Sequence, residues 1–215
     1  MSPLFLTEDE VAGLVTVEET IDVLETAFRE QSRGNATTLP RRRLATDGLF
    51  LHMLAGSVPR YFGYKTYATG KGKPKFYFYL YDTETAGMLA VMQADALGQI
   101  RTGAATGLAT RLLAREETPV ATLFGAGWQA ESQLIAMDAV RKMDTVWIVN
   151  RTPDKAAAFI EAMGPRVRAE LRRAESPEEA VGASQIVTTI TGSREPVLLG
   201  KWLAPGTHVN AAGAT

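Results

Sequence analysis

The chain has 215 residues, a formal net charge of -1 and no cysteine. That length fits one large domain or two small ones, and the lack of cysteine excludes disulfides, thiol catalysis and thiolate metal sites. The near-zero net charge supplies no basic field for nucleic acid, and no apolar run is long enough to span a bilayer.

Two helix starts open the chain. Thr7 and Glu10, then Thr16 and Glu19, have capping-box spacing, and Val17, Ile21, Leu24 and Phe28 fall on one helical face before Gly34. Pro40 precedes Arg41-Arg42-Arg43, a run that reads as a solvated edge. On a strand, Arg41 and Arg43 would share one face and Arg42 the other. Strand-like runs follow at 49–54, 61–68, 76–81 and 88–92, separated by turn residues. Four strands in series predict an antiparallel or mixed sheet with the two helices packed on it. Lys65 sits among aromatics in the second run, on a wet face or held in a pocket by an anion. Asp95 reads as the N-cap of a long helix over 96–115, unusually rich in Gly, Ala and Thr. Small residues there imply close packing against a helix, a sheet or a cofactor.

The charged, Pro-containing break at 116–119 reads as the lobe boundary, giving lobes 1–116 and 117–215. Beyond it an apolar run ends in Gly125-Ala126-Gly127-Trp128-Gln129-Ala130 and passes into a helical pattern. A strand, a glycine turn and a helix N-terminus form an anion site, because the first helical N–H groups lack partners. Strand runs at 145–149, 184–190 and 208–212 alternate with helices, predicting a parallel Rossmann-type sheet that cradles a dinucleotide pyrophosphate. An acidic residue at the end of the second strand would bind the ribose hydroxyls of NAD. Here Asn150-Arg151-Thr152 offers a guanidinium for a 2′-phosphate, so NADP(H) is expected over NAD(H), which stays possible. Arg151 as a plain surface charge is the alternative. His52 and His208 lie far apart without metal-site spacing, so no metal is expected, and the lack of a leader reads as cytoplasmic.

Taken together, Arg101-Thr102-Gly103-Ala104-Ala105, the 125–130 motif, Asn150-Arg151-Thr152, Ser193-Arg194-Glu195-Pro196-Val197 and the run from Gly206 to Gly213 resemble the ornithine cyclodeaminase/mu-crystallin family. The resemblance runs over essentially the whole chain. It implies a homodimer whose α+β N-terminal lobe holds the substrate and makes the dimer, while the Rossmann lobe holds the nicotinamide cofactor. It implies that Lys65 and Arg101 are catalytic and hold the substrate carboxylate. Arg41 is the expected further substrate arginine, with Arg43 a rival, and His52 adds to the substrate pocket. For the cofactor it implies Thr102, Gly125, Ala126, Gly127, Trp128, Gln129, Asn150, Arg151, Thr152 and Thr189, with Ala212 and Gly213 admitting the nicotinamide ring.

Two departures matter. Thr215 stands where true cyclodeaminases carry an aspartate, and His52 where the ornithine enzymes use a glutamate. A hydroxyl is no carboxylate base near neutral pH. Family members also continue past Thr215, so the parallel sheet is expected to be C-terminally incomplete. The expected function is NADPH-dependent reduction of small cyclic or open-chain imino acids. A cyclodeaminase-like or alanine dehydrogenase-like enzyme, and a non-catalytic NADPH-gated binding protein, are the alternatives.

Overall fold

The computed structural model describes residues 2–213. Its contacts divide the chain into two compact units, Met1–Gly98 and Gln99–Thr215.

The first unit contains β1 (Leu4–Leu6), α1 (Glu8–Leu14), α2 (Val17–Ser32), β2 (Thr37–Thr38), β3 (Arg42–Thr46), β4 (Leu49–Val58), β5 (Tyr61–Thr69), β6 (Tyr77–Asp82) and β7 (Met88–Gln93). Both helices begin as their sequences dictate. The Thr7 and Thr16 N–H groups donate to Glu10 at 2.8 Å and to Glu19 at 2.9 Å, and the Glu19 N–H returns a bond to the Thr16 hydroxyl at 3.1 Å. On α2, Val17 and Ile21 are buried, whereas Phe28 of the same stripe is exposed.

The sheet is mixed, in the order β1-β7-β6-β5-β4-β2, with β3 also paired to β4. The pairs among β2 to β7 are antiparallel and β1 lies parallel to β7. Its long hairpins pair His52 with Tyr67 and Leu54 with Lys65 across β4 and β5, then Lys65 with Phe78 across β5 and β6. One face carries Gly56, Gly63, Phe78 and Leu80 toward Leu24, Ala27 and Phe28 of α2, across an apolar groove of about 340 Å³. Gly63 permits the close approach of β6, because a Cβ there would lie 2.4 Å from the Tyr79 carbonyl oxygen. The other face carries the stacked pairs Phe62–Tyr81 and Tyr64–Tyr79.

The helix α3 (Asp95–Leu113) begins at the end of the first unit and runs into the second. The expected cap is replaced: the backbone N–H groups of Asp95 and Ala96 donate to the carboxylate of Glu8, while Asp95 Oδ1 accepts from the Phe76 N–H at 3.3 Å. The contact boundary falls inside this helix rather than at 116–119. The reason is its small residues. A Cβ on Gly103 would lie 2.4 Å from the Ser132 carbonyl oxygen, and the Thr110 hydroxyl accepts from Asn210 at 2.9 Å.

The second unit continues with β8 (Val120–Phe124), α4 (Trp128–Val140), β9 (Thr145–Val149), α5 (Pro153–Met163), β10 (Glu170–Arg173), α6 (Pro177–Gly182), β11 (Ile186–Thr189) and β12 (His208–Ala211). A 3-10 turn at Gly164–Arg166 separates α5 from β10. All five strands are parallel, in the order β10-β9-β8-β11-β12. This is the doubly wound arrangement, with its reversal of winding between β8 and β11. Leu123, Leu134, Met137, Val146, Ile148 and Ile186 are fully buried at its centre. Each such side chain stabilises the fold by about 1.5–3 kcal/mol before chain entropy is set against it.

Candidate functional site

In a parallel sheet of this order, ligands bind outside the carboxyl ends of the strands where the winding reverses. That crevice here lies between the ends of β8 and β11, and the glycine turn enters it. Gly125 has φ +115°, a conformation side chains disfavour, and a Cβ would lie 2.3 Å from the Ile190 carbonyl oxygen. Its N–H donates to Val149 at 2.9 Å, and the Ile190 N–H donates to Phe124 at 2.8 Å, so both sides of the turn are anchored.

Gly127 differs. It is the N-cap of α4 with φ -104°, and a Cβ there would meet no atom within 4 Å. The first glycine serves the turn, and the second leaves room in front of a 13-residue helix start. An N-terminus of this kind carries unsatisfied N–H groups and a positive partial charge. A pyrophosphate fits that combination of chemistry and space. Ala126 and Gln129 are half-buried and Trp128 is exposed. Gln129 Oε1 is buried without a partner among the described residues.

At the end of β9, Asn150 Nδ2 donates to the Thr152 carbonyl at 3.0 Å and Arg151 is exposed. Thr152 is the N-cap residue of α5 with Pro153 behind it, yet its hydroxyl makes no capping bond. Thr189 ends β11, and its carbonyl accepts from Ala212 at 3.0 Å and Gly213 at 2.9 Å. A Cβ on Gly213 would lie 2.9 Å from the Thr191 carbonyl oxygen, so the chain itself already requires glycine there. Thr215 lies outside the described residues.

Arg101 and Thr102 follow one another on α3, Arg101 exposed and Thr102 half-buried. The remaining expected residues belong to one face of the first unit's sheet. Lys65 Nζ lies over the rings of Phe76 and Tyr67, 5.1 and 5.6 Å from their centroids. Such contacts hold an ammonium in place at a cost well below that of leaving it unsolvated. His52 is 6 % exposed, stacks on Tyr67 at 4.4 Å and shares a 2.7 Å hydrogen bond with the Thr69 hydroxyl. Its Nδ1 is buried without a partner among the described residues. Arg43 pairs with His52 across β3 and β4, and Arg42 pairs with Met53 on the opposite face. Arg41 lies one residue before β3, and it lines an open depression of about 550 Å³ with Arg42, Arg43 and Leu54. Sequence reasoning missed Phe76, Thr69 and Glu8. Only Phe76 had a signal, as the aromatic residue that opens the strand-like run at 76–81.

Burial, reinforced by the guanidiniums of Arg43 and Arg41, holds His52 below the ordinary imidazole value, and burial with Arg141 lowers His208 against the opposing Asn210 bond. The unfolded chain therefore takes up protons that the folded chain resists. This contribution to stability is present above about pH 6.5 and is lost as pH falls through the window below it. The urea midpoint is expected to drop between about pH 7 and about pH 5.5, with a shallower drop in His52→Gln. An unchanged slope in that variant would assign the window to His208 alone.

Among the described residues, no three His, Cys, Asp or Glu side chains are grouped to hold a metal ion, and no helix is long and apolar enough to cross a membrane.

Comparison with known proteins places these features in context. The ornithine cyclodeaminase/mu-crystallin family model matches residues 1–215. Alanine dehydrogenase of Archaeoglobus fulgidus is 31% identical over 221 residues, covering 100% of this chain and 68% of that protein. Mouse ketimine reductase mu-crystallin is 34% identical over 136 residues, covering 63% of this chain but 42% of its own length. The structure of Thermococcus litoralis Delta(1)-pyrroline-2-carboxylate reductase, in complex with NADH and L-proline, superposes with a TM-score of 0.88 at 30% identity. It aligns with 96% of this chain, which spans 67% of it.

Proposed function

Because the chain belongs to the ornithine cyclodeaminase/mu-crystallin family, we propose that it is an NADPH-dependent reductase of small cyclic or open-chain imino acids. The observation that carries this reading is the glycine turn at the switch point, where Gly127 leaves open space in front of α4. The relatives named as ketimine reductase and pyrroline-2-carboxylate reductase support the substrate class.

When bound, the nicotinamide supplies a hydride. The chain's own residues supply charge, position and exclusion of water. Gly125 sets the turn, and the open N–H groups of α4 receive the pyrophosphate. Lys65 and Arg101 neutralise and orient the substrate carboxylate, with Arg41 assisting. A guanidinium suits that task because its planar fork fixes direction as well as charge. Lys65, seated over Phe76 and Tyr67, is held ready before substrate arrives. The N-terminal lobe pairs with that of a second copy through the sheet face bearing Phe62, Tyr64, Tyr79 and Tyr81, where Phe62, Leu51 and Met53 are exposed.

Assaying NADPH oxidation with pyrroline-2-carboxylate or piperideine-2-carboxylate tests the activity. Steady turnover is expected, and a folded, NADPH-binding chain that turns over neither would overturn the reading. Cofactor choice is tested separately. Arg151→Ala is expected to raise the Kd for NADPH by about ten- to a hundredfold, the loss of one charge-assisted phosphate contact, while changing that for NADH little. Equal effects on both cofactors would make Arg151 a plain surface charge.

A further inference from the structure

The face bearing Lys65 carries more positive charge than one carboxylate needs. Its residues lie in two rows set by strand register. In one row Leu54 pairs with Lys65, and the depression at Leu54 is lined by Arg41, Arg42 and Arg43, Arg41 lying two residues before Arg43. In the next, Arg43 pairs with His52 and His52 with Tyr67. The rows are two residues apart along the strands, or about 7 Å. No ion pair of Arg41 or Arg43 occurs among the described residues, whereas Arg29, Arg33, Arg166, Arg168, Arg172 and Arg173 all have carboxylate partners. His52 adds an unmet requirement to the second row: its Nε2 is bonded to Thr69, and its buried Nδ1 has no partner among the described residues.

We propose that Arg43, beside His52, forms a second anion subsite that receives the distal carboxylate of a dicarboxylic imino acid. This rests on the imino-acid reductase reading and names its substrate class. Arg41 and Lys65 take the carboxylate next to the reacting carbon, and Arg43 takes the one at the far end of a short chain. Depressed basicity at His52, caused first by burial and then by Arg43 and Arg41, keeps the imidazole neutral there. It therefore adds no charge, and the charge of the subsite is the guanidinium's.

The reaction balances without any further reactant. A 2-oxo acid and ammonium condense with loss of water to the iminium. Hydride from NADPH adds to its carbon while the C=N π bond becomes the nitrogen lone pair. A proton from water then gives the amino acid and NADP⁺.

The test compares imines formed in place from ammonia with 2-oxoglutarate and with 2-oxobutyrate, and adds a binding readout without cofactor. The dicarboxylate is expected to have the higher kcat/KM by about tenfold or more, the contribution of one charge-assisted contact. L-glutamate is expected to raise Tm more than L-2-aminobutyrate. Arg43→Ala is expected to lower the dicarboxylate-to-monocarboxylate ratio about tenfold and to abolish the difference in Tm shift. Lys201→Ala removes one positive charge from an exposed turn of the second unit and should leave the ratio unchanged. A monocarboxylate imine reduced as well as the dicarboxylate, or a ratio that falls equally in both variants, would overturn the subsite and leave the reductase reading intact. Turnover of neither imine, with no turnover of pyrroline-2-carboxylate, would overturn the reading beneath it.

Discussion

Lys65→Met is expected to lower kcat/KM for an imino acid by about a hundred- to a thousandfold. Removing one member of a desolvated, hydrogen-bonded charge pair costs about 2–5 kcal/mol, and each 1.36 kcal/mol is tenfold in rate. Methionine keeps an unbranched apolar stem against Tyr67 and Phe76, so packing changes little. The Tm and the Kd for NADPH should therefore stay close to those of the unaltered protein. If kcat/KM is also unchanged, Lys65 is a surface cation resting on two rings and has no part in the chemistry.

The two glycines of the turn should fail in different ways. Gly125→Ala places a methyl group 2.3 Å from the Ile190 carbonyl oxygen at a backbone φ of +115°. The Ile190 peptide cannot retreat easily, because its N–H is bonded to Phe124. Backbone strain together with overpacking costs about 3 kcal/mol, which lowers Tm by about 6–12 °C in a chain of this size. Gly127→Ala meets no protein atom within 4 Å and keeps an allowed φ, so its Tm should hold. Its methyl group instead occupies the space assigned to pyrophosphate, and the Kd for NADPH is expected to rise at least about tenfold. A Gly127→Ala chain that binds NADPH normally would separate the turn from the cofactor.

Local signals reached far into this fold because its chemistry is local. Thr7, Thr16 and Ser176 sit at helix starts, where a hydroxyl or a returning carboxylate satisfies an end N–H group. Alternating aromatic runs became β4 to β7, and the glycine turn lies between a strand and a helix as its order implied. What stayed hidden depended on partners distant in sequence. Nothing around Glu8 announces that its carboxylate caps α3, 87 and 88 positions away. The strands β1 and β2 have three and two residues, too few to show a period. Asp95 has the residue type of a cap, yet its side chain goes to Phe76 because Glu8 is already in place.

The candidate site was legible to a similar depth. The alternation of Arg41, Arg42 and Arg43 between two faces follows from strand geometry alone, and Arg42 and Arg43 do pair on opposite faces. That His52 would be buried, stacked on Tyr67 and bonded to Thr69 needed the register of two hairpin strands. The small residues of α3 signalled close packing, and only tertiary structure shows Ser132 as what approaches Gly103.

The most direct measurement follows the hydride. The chain is incubated with pyrroline-2-carboxylate and NADPH carrying deuterium at the transferring position of C4, and the product is examined by mass spectrometry and proton NMR. Hydride transfer predicts proline with one deuterium on Cα and an equal amount of NADP⁺. Proline with hydrogen at Cα, or unchanged pyrroline-2-carboxylate in the presence of a chain that binds NADPH, would contradict it.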